Sequence, residues 1–240
     1  MPLAAPPLPE RIRTLAATSR AAQLVVDGVR CPVSGAADSR GRPVLLVRPG
    51  EVLHGLRGDA VVSVSLAATR RLGEVEHPRG LIEVQGWAEA VPEDEAREAA
   101  VAISAHSADE GLFEALERYG SPEAPRLLRL DVGQVVYLTG EESGTLDADE
   151  YLDASPDPLA EVAEQVLAHV NGSHRPQLAA GVGRLLGLPA ESAWLWELDR
   201  YGATVRLGDD DPALVRFPWP VPAGTGLCLE TALRAILCTC

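Results

Sequence analysis

The stretch Val166-Leu167-Ala168-His169-Val170-Asn171-Gly172-Ser173-His174-Arg175-Pro176-Gln177-Leu178 holds two of the chain's five histidines. Apolar residues recur at helical spacing on both sides of it, which predicts two helices with a break between them. Asn171 or Ser173 can cap the second helix, and Pro176 is tolerated only in a first helical turn. The break is therefore predicted at residues 171–174, which places both histidines at a corner between two helices.

This break decides whether His169 and His174 can act together. On one continuous helix, five residues turn the chain by about 500° and leave the two side chains roughly 140° apart. With a break between them, the two rings can converge on one ligand. Two interpretations stay open at this point: a functional pair, or two structural residues, of which His169 packs at a helix end and His174 lies on the surface.

Composition limits the class of protein. The chain has 240 residues, of which 46% are hydrophobic, a formal net charge of −14 and no lysine. The length allows one large or two modest domains. The acidic charge argues against nucleic acid or an anionic membrane as a partner. Without lysine, Schiff-base chemistry through a lysine side chain is excluded.

The cysteines and the N-terminal segment indicate the cellular compartment in which the protein is expected. One cysteine is early and three are near the C-terminus, which is neither a disulfide framework nor a CxxC zinc motif. No metal site is therefore predicted, although Cys238 and Cys240 form a possible soft-metal or redox site. The N-terminus is proline-rich and lacks the apolar core of a signal peptide or a membrane span. A cytoplasmic protein is expected.

Residues 10–140 show the pattern of an antiparallel barrel decorated by helices. Asp27-Gly28 is a typical tight hairpin turn. Strands are predicted over Gln23–Val26, Val29–Val33, Pro43–Val47, Ala60–Ala67, Leu81–Val91 and Arg126–Leu138. Helices are predicted over Glu10–Arg20, Glu93–Ala105 and Asp109–Tyr119, one or two helical turns over Gly50–Arg57, and a loop over Leu72–Arg79.

A change in composition divides the chain after the barrel. Residues 141–158 are rich in Gly, Ser, Asp, Glu and Pro, and they are predicted to form a linker between two domains. Residues 159–240 are predicted to form a small domain with the element order α-α-β-β-β-α. The predicted helix corner opens this second domain.

Three motifs of the second domain resemble those of a known arrangement. His169-Val-Asn-Gly-Ser-His174 opens the domain, Asp199-Arg-Tyr-Gly202 forms a turn, and Phe217-Pro-Trp-Pro220 follows. They are similar to the small domain that accompanies a pyridoxamine-phosphate-oxidase-like, FMN-binding split barrel in haem-utilisation proteins of the HugZ type. A plant relative that binds glutamyl-tRNA reductase carries the same domain. The resemblance implies an α+β fold: an antiparallel split β-barrel with flanking helices, followed by the small α-α-β-β-β-α domain.

The resemblance also implies a cofactor and candidate residues. Members of the family bind haem or FMN, and the small-domain motif makes His169, Asn171 and His174 the first candidates for contacting it. In the barrel, the segment that holds a flavin phosphate or a haem propionate corresponds here to Val52-Leu53-His54-Gly55-Leu56. Its usual hydroxyl and arginine are absent, but His54 and Arg57 remain as candidates.

Three functions remain open from the sequence. The first is a cytoplasmic cofactor- or tetrapyrrole-associated binding or regulatory protein. The second is a flavin- or haem-dependent oxidoreductase, and whether the chain is an enzyme is not decided. The third is a protein-interaction module without a cofactor. The resemblance further implies a homodimer formed through the barrel, and the plant relative makes a protein partner possible.

Overall fold

The computed structural model describes residues 5–55, 60–140, 142–187, 190, 192–209 and 211–237. The chain folds into two compact units. The barrel unit comprises Ile12–Thr69 and Glu76–Pro156. The C-terminal unit comprises the residues before Ile12, the segment Arg70–Val75 and the residues from Asp157 onward. Within the described residues, no helix has the length and apolar character needed to cross a membrane.

The barrel unit is built on one eight-stranded sheet with the order β2-β1-β5-β6-β7-β4-β3, and β8 pairs with β7. The strands are β1 (Arg20–Val26), β2 (Val29–Pro32), β3 (Ser34–Ala37), β4 (Pro43–Val47), β5 (Ala60–Leu72), β6 (Val75–Ala90), β7 (Arg126–Thr139) and β8 (Ser143–Asp147). Strand β1 also contacts β3, the strand at the other end of this order. The sheet is therefore curled. The pairings described for these strands are antiparallel, as the sequence predicts.

Four helices accompany the sheet: α1 (Leu8–Ala17), α2 (Ala96–Ser104), α3 (Gly111–Glu117) and α4 (Ala148–Asp153). Every residue of β4 is buried, and α2 packs on it through small and aliphatic side chains such as Ala99 and Ile103. Small residues let the helix approach the sheet closely, so β4 can be apolar on both faces. The predicted helices over Glu93–Ala105 and Asp109–Tyr119 exist but are shorter at both ends.

A buried polar cluster belongs to the barrel unit as well. Arg13 is buried and donates hydrogen bonds to Ala154 O (2.9 Å) and Ser39 O (3.2 Å). Its guanidinium lies 5.0 Å from the ring centroid of Tyr151, and the Tyr151 hydroxyl donates to Gly41 O (2.8 Å). A Cβ at Gly41 would lie 1.0 Å from an Arg13 nitrogen. Glycine is required there for this contact and for its φ of +85°.

Several sequence predictions for the barrel are wrong. The predicted loop over Leu72–Arg79 is the turn of a hairpin: β5 runs to Leu72, and β6 begins at Val75 after a turn at Gly73, whose φ is +62°. Of the charged residues that suggested a loop, Glu74 lies in the turn, whereas Glu76, which is exposed, and Arg79, which is half-buried, lie in β6. The predicted strand over Val29–Val33 ends at Pro32, and β3, which the sequence did not indicate, begins at Ser34.

Two further segments also differ. Residues 51–55 form turns and bends instead of a helix, and the rest of the predicted helical turns over Gly50–Arg57 lies outside the described residues. The predicted linker, 141–158, contains β8 and α4, and β8 pairs with β7 from Gln134↔Asp147 to Leu138↔Ser143. Residues 143–153 are therefore not an irregular linker. They form an edge strand and a short helix, both of polar composition.

The C-terminal unit has the predicted element order. Helices α5 (Ala160–Ser173) and α6 (Arg175–Leu186) precede strands β9 (Ala193–Asp199), β10 (Gly202–Leu207) and β11 (Ala213–Pro218), and α7 (Gly226–Leu237) follows. The three strands form an antiparallel sheet with the order β11-β10-β9. The helices and the sheet share one core, whose most deeply buried members are Leu178, Val182, Leu195, Ala203, Val205 and Leu229.

The Asp199–Gly202 motif is a structural turn of this sheet. Asp199 Oδ1 accepts hydrogen bonds from Tyr201 N (2.7 Å), Gly202 N (3.0 Å) and the guanidinium of Arg216 (2.7 Å). A Cβ at Gly202 would come within 2.6 Å of Phe217 O, so only glycine fits beside β11. The indole N–H of Trp219 donates to Asp199 O (3.2 Å). Two of the three motifs thus form one interlocked turn.

Arg70 is a buried charge in the C-terminal unit. It donates to Trp196 O and to a carboxylate oxygen of Glu164. A guanidinium that is 5% exposed requires such acceptors, because burying an unpaired charge is costly. Arg70 is therefore held by an ion pair and a main-chain hydrogen bond in the interior of this unit.

Candidate functional site

The helix corner is sharper than the sequence predicts. Helix α5 continues to Ser173 and α6 begins at Arg175, so His174 alone separates them, with φ −128° and ψ 19°. The prediction of a break over 171–174 is therefore too wide, and neither Asn171 nor Ser173 caps α6. The N–H of His174 donates to Val170 O (2.8 Å), and its carbonyl accepts from Leu178 N (2.9 Å). Helical hydrogen bonds on both sides fix the corner.

The two histidine rings meet at this corner. His169 Nε2 and His174 Nε2 are 3.2 Å apart, and the ring centroids are 4.9 Å apart with the planes inclined at 74°. A hydrogen bond between two such nitrogens requires that one carries a proton and the other presents its lone pair. The single-residue break thus allows the convergence that a continuous helix would prevent.

The histidine pair lies at the edge of a cleft of about 770 Å³ that α5, α6 and α7 enclose. The aliphatic residues of its wall share faces of α5 and α7, and the polar residues surround them. The lining residues are Val162, Gln165, Val166, His169, Val170, His174, Gln177, Glu230, Leu233, Arg234 and Leu237. The cleft therefore combines an apolar surface with two imidazoles, one carboxylate and one guanidinium.

Close helix contacts at glycines set the position of α7 beside this cleft. A Cβ at Gly181 in α6 would lie 1.8 Å from Ile236 O in α7, and a Cβ at Gly226 would lie 2.9 Å from a methyl of Val162 in α5. At Gly181 the facing atom is a main-chain oxygen, and so close an approach is possible only for glycine. The cleft is thus a consequence of where α7 can pack against the other two helices.

Asn171 has a different role from the two histidines. Its side-chain N–H donates to Leu195 O (2.9 Å), and its Oδ1 accepts from Leu195 N (2.9 Å). The amide therefore satisfies both main-chain groups of one buried residue in β9. Asn171 is not among the described residues that line the cleft, and it connects α5 to the sheet instead.

His54 and Arg57 were the candidates in the barrel unit. The Nε2–H of His54 donates to Ala124 O (2.8 Å), and the guanidinium of Arg126 donates to His54 O (3.0 Å). This nitrogen is already engaged, since a carbonyl can only accept and therefore fixes the proton on Nε2. Arg57 lies outside the described residues, as do Cys238 and Cys240.

The contribution of α7 to the cleft is not predicted from the sequence. Glu230, Leu233, Arg234 and Leu237 follow a spacing of three, four and seven residues, which places them on one face of a helix. That signal was available in the sequence, but nothing in it indicated which element the face would meet. Among the described residues, no group of three or more His, Cys, Asp or Glu side chains could hold a metal ion.

Cys228 lies in the first turn of α7. The hydroxyl of Thr225 donates to Cys228 Sγ (3.2 Å), and this hydrogen bond lowers the pKa of the Cys228 thiol. Cys228 is exposed and is not one of the residues that line the cleft. It is therefore a separate feature from the histidine pair.

The curled antiparallel barrel with an appended α+β domain is a split-barrel fold, as the sequence analysis predicted. No family model matches the chain. The heme binding protein from Mycobacterium smegmatis superposes with a TM-score of 0.61 at 22% identity, over 96% of this chain and 98% of that one. The protein Atu2129 from Agrobacterium tumefaciens covers 97% of both chains at 18% identity, with a TM-score of only 0.40.

One curated relative is similar in sequence. The non-canonical heme oxygenase HOZ of Arabidopsis thaliana chloroplasts is 33% identical over 82 residues. This match spans 34% of the present chain and 25% of the relative. The superposition on the Mycobacterium smegmatis protein confirms the fold, and the sequence similarity to the plant protein is limited to about a third of the chain.

Proposed function

We propose that this chain is a cytoplasmic tetrapyrrole-binding or regulatory protein, and that the cleft of the C-terminal unit binds haem. One observation carries the proposal: two imidazole Nε2 atoms, 3.2 Å apart, stand at the edge of an aliphatic cleft of about 770 Å³. Sites for small molecules are concave, mostly apolar and about 300–1,000 Å³ in volume, with a few placed polar groups. The cleft has these properties.

The residues of the cleft fit the chemistry of haem. Val166, Leu233 and Leu237 offer an aliphatic surface to the apolar macrocycle. Arg234 offers a guanidinium, which suits a propionate carboxylate. A histidine nitrogen is a common protein ligand of haem iron. When bound, the haem would supply the iron centre, and these side chains would hold and orient it.

The separation of the nitrogens limits how the histidines could serve. His169 Nε2 and His174 Nε2 are 3.2 Å apart and form a hydrogen bond with each other, so one nitrogen presents a proton and the other a lone pair. We therefore propose a single imidazole ligand, with the other ring as a hydrogen-bonding neighbour.

The comparisons support the class of ligand. A heme binding protein shares the fold over nearly the whole chain, and a heme oxygenase shares local sequence. Neither likeness supplies a reaction for this chain, so the proposal is limited to binding. For the described residues, the flavin alternative loses support, since His54 Nε2 is held by Ala124 O.

A haemin titration followed by absorbance tests the proposal. The protein is used with its four cysteines replaced by serine, because thiolates also ligate haem iron. We expect a saturable shift of the Soret band at one haemin per chain. We expect at least tenfold weaker binding in the double variant His169→Ala/His174→Ala.

Two controls give this titration its meaning. His77→Ala removes a histidine of the barrel unit and should leave the titration unchanged. Flavin mononucleotide, titrated in parallel, should cause no saturable spectral change. The proposal is wrong if the double variant takes up haemin as the unsubstituted protein does.

We also propose a homodimer formed through the barrel unit. Leu81 and Leu138 are directly opposed on β6 and β7, and they are 41% and 55% exposed. Trp87 and Val61 are also exposed, Trp87 on the same face of β6 as Leu81. The carboxylate of Glu83 accepts a hydrogen bond from Ser63 Oγ (2.6 Å), which links β5 and β6 on this face. Exposed apolar patches on a sheet are typical of interaction sites.

The oligomeric state tests this second proposal. Light scattering after size exclusion should give twice the chain mass for the unsubstituted protein and a single chain for Leu138→Arg. Leu185→Arg is the matched control, because Leu185 is 56% exposed, as Leu138 is 55% exposed, but lies on α6. A dimer that survives Leu138→Arg, or one that Leu185→Arg dissociates equally, would place the interface elsewhere.

A further inference from the structure

We infer that His169 and His174 form a binding site for a free divalent transition-metal ion, independently of any tetrapyrrole. The inference goes beyond the sequence, from which no metal site is predicted, and does not rest on the proposed haem binding. Neutral imidazole is a good ligand for Zn²⁺, Cu²⁺ and Ni²⁺. Two such groups with adjacent nitrogens are the observation that points to an ion.

The distance between the two nitrogens fits one shared ion. Histidine nitrogens lie about 2.0–2.1 Å from a bound first-row metal. Two nitrogens 3.2 Å apart would then enclose an angle of about 100° at the metal, which lies between the square-planar and tetrahedral angles. The ring that carries its proton on Nε2 changes to the tautomer with the proton on Nδ1, so both rings stay neutral. The hydrogen bond between the rings is then replaced by two bonds from Nε2 to the ion.

The main chain holds both ligands in place without the ion. The helical hydrogen bonds of the His174 N–H and carbonyl fix the corner, and the two hydrogen bonds of Asn171 to Leu195 fix the last turn of α5 on the sheet. Little main-chain ordering is therefore needed when the ion binds. Ligands that are held in position in advance bind more tightly than mobile ones.

The surroundings leave the ion open to exchangeable ligands. Since no third His, Cys, Asp or Glu joins the pair within the described residues, water or a small molecule would complete the coordination. Glu230 and Arg234 line the same cleft with opposite charges. The net charge of the chain, −14, favours the approach of a cation. An open coordination position would face the aliphatic cleft.

Copper titration of the full-length chain tests the inference. All four cysteines are replaced by serine, because Cys31, Cys228, Cys238 and Cys240 offer thiolates that would bind the same ion. Cu²⁺ is the probe, since it forms the most stable complexes of the first-row divalent ions. We expect one saturable site per chain, with an electron paramagnetic resonance spectrum that shows coupling to two imidazole nitrogens.

Single substitutions assign the site. His169→Gln and His174→Gln should each weaken Cu²⁺ binding at least tenfold and reduce the spectrum to one coupled imidazole. His77→Gln and His106→Gln are matched controls that should leave affinity and spectrum unchanged. The urea midpoint of every variant is measured, so that a loss of binding is compared only between folded proteins.

The outcomes separate this inference from the haem proposal. Absence of saturable Cu²⁺ binding, or binding that survives either pair substitution with an unchanged spectrum, overturns the metal site and leaves the haemin titration unaffected. Saturable binding to both pair residues, together with failure of haemin to bind, would support the metal site and remove the proposed function.

Discussion

His54 in the barrel unit and the His169–His174 pair in the C-terminal unit are histidines of the same chain in opposite situations. His54 donates its ring proton to a main-chain carbonyl, Ala124 O, at 2.8 Å. In the pair, Nε2 of each ring faces Nε2 of the other at the edge of a cleft. The first arrangement stabilises a loop. In the second, each Nε2 has only the other ring as its partner among the described residues, so a ligand that replaces this one hydrogen bond can bind there.

The difference teaches that the immediate partner of a ring nitrogen decides what a histidine can do. Other buried polar side chains of the barrel unit also donate hydrogen bonds to main-chain carbonyls: Arg13 donates to two, and the Tyr151 hydroxyl donates to Gly41 O. Both situations occur within the hexapeptide His169–His174. The side-chain amide of Asn171 forms hydrogen bonds with the main chain of Leu195, whereas His169 and His174 line the cleft.

The largest effect is expected for Asn171→Ala. The substitution leaves the N–H and the carbonyl of buried Leu195 without their partner, and we expect a loss of about 2–3 kcal/mol in the free energy of unfolding. Urea denaturation measures it. Gln165→Ala is the matched control, an exposed amide on the same helix, with a change below about 0.5 kcal/mol. Equal effects of the two substitutions would contradict a structural role of Asn171.

His54→Ala should cost less and should separate the two histidine environments. Loss of the hydrogen bond to Ala124 O is expected to lower the free energy of unfolding by about 1 kcal/mol. Haemin and Cu²⁺ titrations should stay unchanged, because the ring serves the main chain. A variant that keeps full stability but loses ligand affinity would reverse the comparison.

Tyr151→Phe sharpens the comparison through its pH dependence. Burial raises the pKa of Tyr151 above its ordinary value of 10.0, although Arg13 opposes the shift. Between pH 10 and the raised pKa, the unfolded chain releases the phenolic proton and the folded chain keeps it, so stability falls as pH rises. Phenylalanine cannot contribute to this fall.

We therefore expect Tyr151→Phe to cost about 1 kcal/mol at pH 8, because the hydrogen bond to Gly41 O is lost. The cost should shrink above pH 10. Urea midpoints of both proteins at pH 8 and pH 10.5 measure the difference, and the other tyrosines cancel because both proteins contain them. A gap that is equal at the two pH values would mean that Tyr151 does not titrate in this way.

The smallest effect on stability is expected at the pair itself. His169 is exposed, and its ring contacts His174, so His169→Ala should change the free energy of unfolding by less than about 0.5 kcal/mol. The same variant should show weakened haemin and Cu²⁺ binding. A large loss of stability without loss of binding would make the pair structural, as His54 is.

Local patterns in the sequence were enough for the helix corner and for most strands. Helical spacing and the position of Pro176 predicted two helices meeting near His174, and β4 was predicted with the bounds that the structure shows. The length of the break was overestimated, because capping residues such as Asn171 are also usable inside a helix when a neighbouring strand offers partners.

The failures share one physical cause, which is pairing or packing with another element. Glu74 lies in the two-residue turn of a hairpin, and the charged residues on either side of it, Arg71 and Glu76, are held in the paired strands β5 and β6. The cleft could not be predicted, since the contact of Gly181 with Ile236 O depends on where α7 packs. Of the geometry of the candidate site, the sequence indicated only that the rings of His169 and His174 could converge, and this was one of two open interpretations.

The burial of Tyr151 in the barrel unit bears on how that unit can be produced alone. A fragment that stops at residue 140 would omit β8 and α4, and would remove the ring against which Arg13 lies and the donor to Gly41 O. The edge of β7 would then be unpaired, and unpaired edges promote aggregation. A fragment that extends through Pro156 keeps β8 and α4 and is the better starting point for expression and crystallisation.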